Sequence, residues 1–554
     1  MPNSFSYSLP AAIADDHTLA LADWSSNNKV SRLWAKDASL WTNSDEARWL
    51  DWLDIVEFEL ANAEQYRSLH DDISSEGFTD VLLMGMGGSS LCPEVLAMTF
   101  GKSNFHILDS TVPAQVASVE AKLDLANTLF IVASKSGSTL EPNCFKQYFF
   151  DRVSQISDEP GKQFVAITDP GSKMEQVAKA DGFRHIIYGK PQIGGRFSAL
   201  SAFGMTAAAS MGIDVEKFLH DTMPMVDACR NESASENPGV VLGTLLGVCH
   251  KSGRDKLTIV TSPQVHDLGA WMEQLVAEST GKNDVAIIPV DREAWQSSYS
   301  NDRVFAFVSV GDDAEIEAKY NEVTAKGHPA VRIEMSRVDT LGQEFFRWEF
   351  ATAVAGAVMN LNPFDQPDVE SAKIEARKIT DEYEASGHLP AETPFFDGDG
   401  VKLFAGEEYS AKIGGDSLAE ILANHLSQIA NGDYFAILGY IEMTAEHEQL
   451  LQAIRTSVLE RHGIATCLGF GPRFLHSTGQ AYKGGANNGV FLQITSDDAA
   501  DLPVPGQSYT FGVVKAAQSR GDFQVLVDRG RRALRIHLGS NVADGLERLS
   551  RNVR

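Results

Sequence analysis

The chain has 554 residues, 43% of them hydrophobic, and a formal charge of -28, a length that suits about three or four domains with buried cores. So acidic a balance argues against nucleic-acid or anionic-membrane binding as the main task, since both depend on basic patches. Five cysteines without CxxC spacing suggest neither a zinc site nor a disulfide framework and fit a reducing cytoplasm; no secretory signal and no apolar run of membrane-spanning length is recognised.

In residues 1–70, Trp41, Trp49, Trp52, Leu53, Val56 and Leu60 recur at roughly helical spacing, which predicts a segment of packing helices. Residues 71–250 alternate apolar runs (VLLMGM, FHILD, TLFIVAS, FVAITD, HIIYG) with amphipathic stretches. That alternation predicts a doubly wound parallel sheet, with ligands at the carboxyl ends of the strands. Two of these strands empty into small-residue turns. Val81–Met84 runs into Gly85, Gly87, Gly88, Ser89 and Ser90, and Leu129–Ala133 runs into Ser134, Lys135, Ser136, Gly137, Ser138 and Thr139, with Pro142 near the start of the following helix. Such a turn gathers unsatisfied backbone N–H groups, hydroxyls and the positive end of a helix dipole around one small volume, which is what a phosphate needs. Lys135 adds local positive charge, and the glycine spacing is not GxGxxG, so a single phosphate fits better than a dinucleotide. Further on, Gly194 and Gly195 precede Arg196, Phe197 and Ser198; two glycines let the backbone bend and bring an arginine close to a ligand.

Residues 251–380 form a second α/β unit, opening with LTIVTS. If His266–Lys282 is helical, Gln274 and Glu278 stand at i and i+4 on one face. Glu278 then falls on the last turn, the unfavourable end of the dipole for a carboxylate, which suits a base. The strands VFAFVSV and VRIEM and the helical run FFRWEFATAVAGAVM follow, then Pro363 and Pro367, with a helix from Pro367 carrying Lys373 one to two turns in. Composition shifts to Gly, Asp and Glu after about residue 380. Residues 381–554 then alternate strand and helix again, with His476 in the loop GPRFLHSTGQAYKGG.

In order, GMGGSS at 85–90, SKSGST at 134–139, GGRFS at 194–198, QLVAESTGK at 274–282 and NPFDQPDVESAK at 362–373 resemble the motifs of the phosphoglucose isomerase family, over about residues 80–375. The resemblance implies an α/β fold of two doubly wound SIS-type (flavodoxin-like) parallel-sheet domains, followed here by an α/β C-terminal domain. It implies reversible interconversion of glucose 6-phosphate and fructose 6-phosphate by ring opening and a cis-enediol, with no metal and no cofactor. It assigns Glu278, Arg196, His476 and Lys373 to catalysis. Gly88, Ser89, Ser134, Lys135, Ser136, Ser138, Thr139, Gly195, Gln274 and Gln366 are assigned to substrate binding. The expected partner is a small-molecule sugar phosphate, with neither nucleic acid nor membrane.

One motif departs from the family pattern. The ring-opening histidine usually follows a GQ pair, but here the stretch reads Gly342, Gln343, Glu344. His476, in LHSTGQ, resembles the histidine motif of bacterial short forms moved to the C-terminal region, as in the isomerase portion of bacterial transaldolase and phosphoglucose isomerase fusions. In family members the histidine comes from a neighbouring subunit; supplied within one chain, it leaves both homodimer and monomer open. A non-catalytic phosphosugar sensor and an isomerase that also accepts mannose 6-phosphate are the alternatives.

Overall fold

Residues 1–553 are described by a computed structural model, in which the apolar runs form the strands of three sheets. The chain opens with a strand, β1 (Ser4–Ser8), set aside for a later sheet. The first sheet contains β2 (Asp80–Met84), β3 (Phe105–Leu108), β4 (Thr128–Ala133), β5 (Phe164–Thr168) and β6 (His185–Tyr188). All its pairings are parallel, in the order β3-β2-β4-β5-β6. The winding reverses between β2 and β4, and the two small-residue turns follow these two strands, at the topological switch point where open α/β sheets bind ligands.

The second sheet has β7 (Lys256–Thr261), β8 (Ile288–Val290), β9 (Arg303–Val310) and β10 (Ala330–Met335) in parallel. β1 completes it as an antiparallel edge on β10, with Phe5 opposite Ile333. The third sheet follows β11 (Phe396–Gly398), β12 (Val401–Phe404), β13 (Tyr434–Tyr440), β14 (Ala465–Phe470), β15 (Gly489–Ser496) and β16 (Arg532–Leu538) in the order β11-β12-β16-β15-β13-β14. Four of its strands are parallel, and the β11–β12 hairpin runs antiparallel along one edge. Strands buried on both faces explain why these runs read as continuously apolar.

The N-terminal segment contains the helices Ala11–Ser26, Ile55–Ala61 and Ala63–Glu76, but Trp49 and Trp52 lie in short 3-10 turns. Their spacing is set by long-range aromatic partners: Trp52 is fully buried, with ring centroids 5.3 Å from Phe197 and 6.0 Å from Phe346. One large core thereby joins this segment to one side of the first sheet and to the second sheet.

The C-terminal unit packs in two directions. Val504, Phe511 and Val514 lie in the core that backs the first sheet, while Tyr434, Phe474 and Phe491 share a core with Ala277, Ile288 and Val290 of the second unit. It therefore spans both, and its 473–484 segment reaches the exit of the Leu268–Thr280 helix, where a Cβ on Gly281 would lie 2.3 Å from the Ala481 Cα. All five cysteines are buried and unpaired, and among the described residues no helix is long and apolar enough to cross a membrane.

Because Trp52 joins the N-terminal segment to the loop after β6 and to the Leu341–Met359 helix, Trp52→Ala is expected to destabilise the fold by about 3–5 kcal/mol. Urea unfolding followed by circular dichroism measures the loss.

Candidate active site

Arg196 sits in a 3-10 turn, Gly195–Phe197, and is 2% exposed. Its Nε donates to Ser279 Oγ at 2.8 Å, one terminal nitrogen donates to Gln366 Oε1 at 2.8 Å, and the other donates to the carbonyls of Pro363 at 2.6 Å and Asp365 at 2.9 Å. The nitrogen that binds Gln366 also lies 3.6 Å from Glu278 Oε1. Burial pulls the guanidinium below its ordinary proton affinity, and the charges of Glu278 and Asp365 counter that. It stays a cation, with no acceptor capacity and no route to neutrality.

Glu278 lies on the Leu268–Thr280 helix with Gln274 one turn earlier, both buried. The two side chains share a face, as their spacing predicts: Gln274 Nε2 is 3.3 Å from Glu278 Oε2. The same amide donates to the backbone carbonyl of His476 at 2.8 Å. A single glutamine thus ties the carboxylate helix to the histidine loop across 202 residues of sequence.

Glycines permit this convergence at two places. A Cβ on Gly87, whose φ is +57°, would lie 2.7 Å from Gln274 Nε2 and 2.9 Å from the His476 carbonyl, and one on Gly88 would lie 1.9 Å from the Gly195 carbonyl. Only bare backbone lets the first turn lie against both the arginine turn and the histidine loop.

The second serine turn leads into the Leu140–Ser154 helix. Ser136 and Ser138 are exposed and share a 2.6 Å hydroxyl contact, Thr139 is the N-cap residue without a side-chain cap bond, and the buried Ser134 hydroxyl has no hydrogen-bond partner among the described residues. Gly137 takes a φ of +69° where a Cβ would strike the Met174 backbone nitrogen at 2.1 Å. Hydroxyls and a helix N-terminus are thus gathered here with little internal use, the arrangement an anion requires. Lys135 is engaged elsewhere: its ammonium donates to Asp169 Oδ2 at 2.5 Å and to the Pro191 carbonyl at 3.0 Å. Ser89, in the first turn, is half-buried.

Lys373 lies in the second turn of the Pro367–Ser386 helix, half-exposed, with Glu370 Oε1 at 2.9 Å. Gln366 is held by Arg196, as above.

Sequence reasoning missed three groups. His476 Nε2 donates to Glu141 Oε1 at 2.9 Å. Burial pushes the Glu141 carboxyl up, but the His476 imidazole, the backbone N–H and the Lys373 charge outweigh it, so Glu141 lies below the usual carboxylate range. The signal was its place two residues after SKSGST, at the start of a helix where a carboxylate suits the dipole. Gln480, four residues after His476, accepts the backbone N–H groups of Asp368 at 3.0 Å and Val369 at 3.1 Å and donates to the Gly281 carbonyl at 2.8 Å. It caps the Lys373 helix with a side chain from the C-terminal unit. The third, Lys282, donates to the carbonyls of Asn362 at 2.8 Å and Asp365 at 2.5 Å and to Asp365 Oδ1 at 2.6 Å, so it holds the Gln366 loop from below.

Comparison with known proteins bears on what this arrangement does. The family model described as phosphoglucose isomerase matches residues 64–311. The glucose-6-phosphate isomerase of Methanocaldococcus jannaschii is 27% identical over 352 residues, which cover 56% of this chain and 85% of that protein. That of Parasynechococcus marenigrum is 28% identical over 422 residues, or 67% of this chain and 75% of that protein. Two crystal structures are similar in fold. A hypothetical protein from Thermus thermophilus has a TM-score of 0.58 and 23% identity, covering 67% of this chain and 99% of the other. A glucose-6-phosphate isomerase from Chlamydia trachomatis has a TM-score of 0.51 and 20% identity, covering 64% and 78%.

The close approach at Gly88 is directly testable. Gly88→Ala is expected to destabilise the protein by about 1–3 kcal/mol through overpacking, whereas Gly194→Ala, where a Cβ meets nothing within 4 Å, leaves the urea midpoint nearly unchanged.

Proposed function

We propose, for a chain that belongs to the phosphoglucose isomerase family, the reversible interconversion of glucose 6-phosphate and fructose 6-phosphate. The observation that carries the reading is the convergence of Arg196, Glu278, Gln366 and the His476 loop on one buried point, with Gln274 bonded both to Glu278 and to the His476 carbonyl.

The chemistry follows from the residue types. Opening the sugar ring moves a proton onto the ring oxygen and takes one from the C1 hydroxyl. His476, oriented by Glu141, is the group for this exchange, with Lys373 assisting. An imidazole suits the task because its ordinary titration lies near neutrality. Glu278 then takes the C2 proton as O1 gains one, giving a cis-enediol, and returns it to C1 on the same face as the O2 proton leaves and the C2 carbonyl forms; general base catalysis of this kind contributes about 10²- to 10⁴-fold. The Arg196 charge, 3.6 Å from Glu278, steadies the carboxylate and the negative charge that develops beside it. Ser89, Ser134, Ser136, Ser138, Thr139 and the backbone at Gly88 and Gly195 hold the phosphate, and its binding energy positions the reacting carbons. Lys135 stands beside that turn, with its ammonium held by Asp169. No step calls for a metal or redox cofactor.

The C-terminal unit supplies the histidine to the site of its own chain, so a single chain carries the full set of reacting groups, whether as a monomer or in each half of a homodimer. The chain acts in the cytoplasm. A phosphosugar sensor would need the serine turns but not a buried carboxylate beside a buried arginine, so the geometry favours the enzyme.

The test is a coupled assay of fructose 6-phosphate conversion. Glu278→Gln is expected to lower kcat by about 10²- to 10⁴-fold while leaving binding of the substrate intact by calorimetry. His476→Ala is expected to lose activity on the ring form and to keep it on an open-chain analogue. Wild-type protein that binds the sugar phosphate without turnover would overturn the reading.

A further inference from the structure

Resting on the roles assigned above, we propose that Gln518 is a positioning residue that shares the Glu141 carboxylate oxygen with His476 and so governs how tightly the pair keeps its proton. Glu141 is 4% exposed and Gln518 is 5% exposed. One oxygen of the carboxylate, Oε1, accepts both His476 Nε2 at 2.9 Å and Gln518 Nε2 at 2.6 Å. At the other end of the amide, Thr111 Oγ1 donates to Gln518 Oε1 at 2.7 Å. This chain has one sensible polarity. The carboxylate can only accept, so the amide nitrogen faces it, and the amide oxygen is left to take the threonine proton.

The three groups come from three parts of the fold. Glu141 is the second residue of the Leu140–Ser154 helix, Thr111 lies in the loop after β3, and Gln518 belongs to the Phe511–Asp528 helix of the C-terminal unit. The unit that delivers the histidine therefore also delivers a donor to the histidine's partner. Other ionisable groups face the pair. Lys373, from the Pro367–Ser386 helix, lowers the proton affinity of Glu141. Burial, followed by the Glu141 charge, pushes the Cys144 thiol up to about 12, and burial likewise keeps the Tyr440 phenol of β13 protonated. Neither thiol nor phenol changes charge near neutrality.

The physical argument is electrostatic. A buried carboxylate with one donor fewer concentrates its charge on the remaining partner and binds an imidazolium more tightly, which holds the proton on the histidine. The Gln518 amide stabilises the carboxylate, and its positive end, on the same oxygen as the imidazole N–H, weakens the pull on the imidazolium. A proton held less tightly is one that can reach the ring oxygen.

Gln518→Leu keeps the bulk of the side chain and removes the donor, and Thr111→Val leaves the donor but frees its orientation. In the full chain, the imidazole titration followed by NMR, with the His476 resonance assigned by its loss in His476→Asn, is expected to move up by about half a unit or more in Gln518→Leu. The shift is smaller and of the same sign in Thr111→Val. The acidic limb of the pH profile on fructose 6-phosphate should move with it, and the profile on an open-chain analogue should stay in place. An unmoved or lowered His476 titration in either folded variant overturns the inference, and if Gln518→Leu does not fold, Thr111→Val decides it. The titration needs no turnover, so an inactive wild-type protein would count against the isomerase reading while the NMR midpoints still judge Gln518.

Discussion

A guanidinium buried to 2% exposure cannot be left with unpaired donors, and the architecture around the site follows from that requirement at Arg196. Its partners are Ser279 at the end of one helix and the Pro363, Asp365 and Gln366 loop ahead of another. The arginine itself comes from the turn after the first sheet, so three separate segments must meet at one planar group. Planarity makes the meeting specific, because the donors leave the guanidinium in a fixed fork. Lys282 repeats the device one helical exit away, with two carbonyls and the Asp365 carboxylate around its ammonium. Between them, two buried cations tie down the 362–366 loop and leave Glu278 beside a positive charge.

The same economy of anchors places the histidine. His476 lies between Arg473 and Gln480, and each is bonded into a different unit. Arg473 makes a forked ion pair with Glu94 at 2.6 and 2.9 Å and reaches Asp109 at 2.8 Å, both in the first unit. Gln480 ties into the Gly281 carbonyl and the start of the Lys373 helix. Charge-assisted, bidentate bonds of this kind are directional as well as strong, so a loop that belongs to the C-terminal sheet is registered on the other two. The two-way packing of that unit, against the back of the first sheet and against β8, supplies the apolar area on which these polar anchors are set.

The chain as a whole is strongly acidic, yet Arg196, Lys282 and Lys373 border the candidate site, and the serine turn adds helix-terminal N–H groups. Many of the acidic residues lie on solvated faces, where salt screens them within about 10 Å. Arg196 and Lys282, both buried at the candidate site, are screened far less.

The sequence by itself determined the parts whose physics is local. Apolar runs ending in glycine and serine turns specified the parallel strands and the two turns at the switch point. The i, i+4 spacing of Gln274 and Glu278 put both on one helix face, and Pro367 marked the start of the helix that carries Lys373. Only the tertiary structure decided that Ser4–Ser8 closes the edge of a sheet whose partner strand lies more than three hundred residues away, or that Trp49 and Trp52 sit in 3-10 turns. It alone paired Glu141 with His476 and Gln518, and set Gln480 on the amides of Asp368 and Val369. Those contacts carry no periodicity along the chain. They arise because buried donors and acceptors must be satisfied wherever packing brings them together, and packing is settled only when all three sheets are in place.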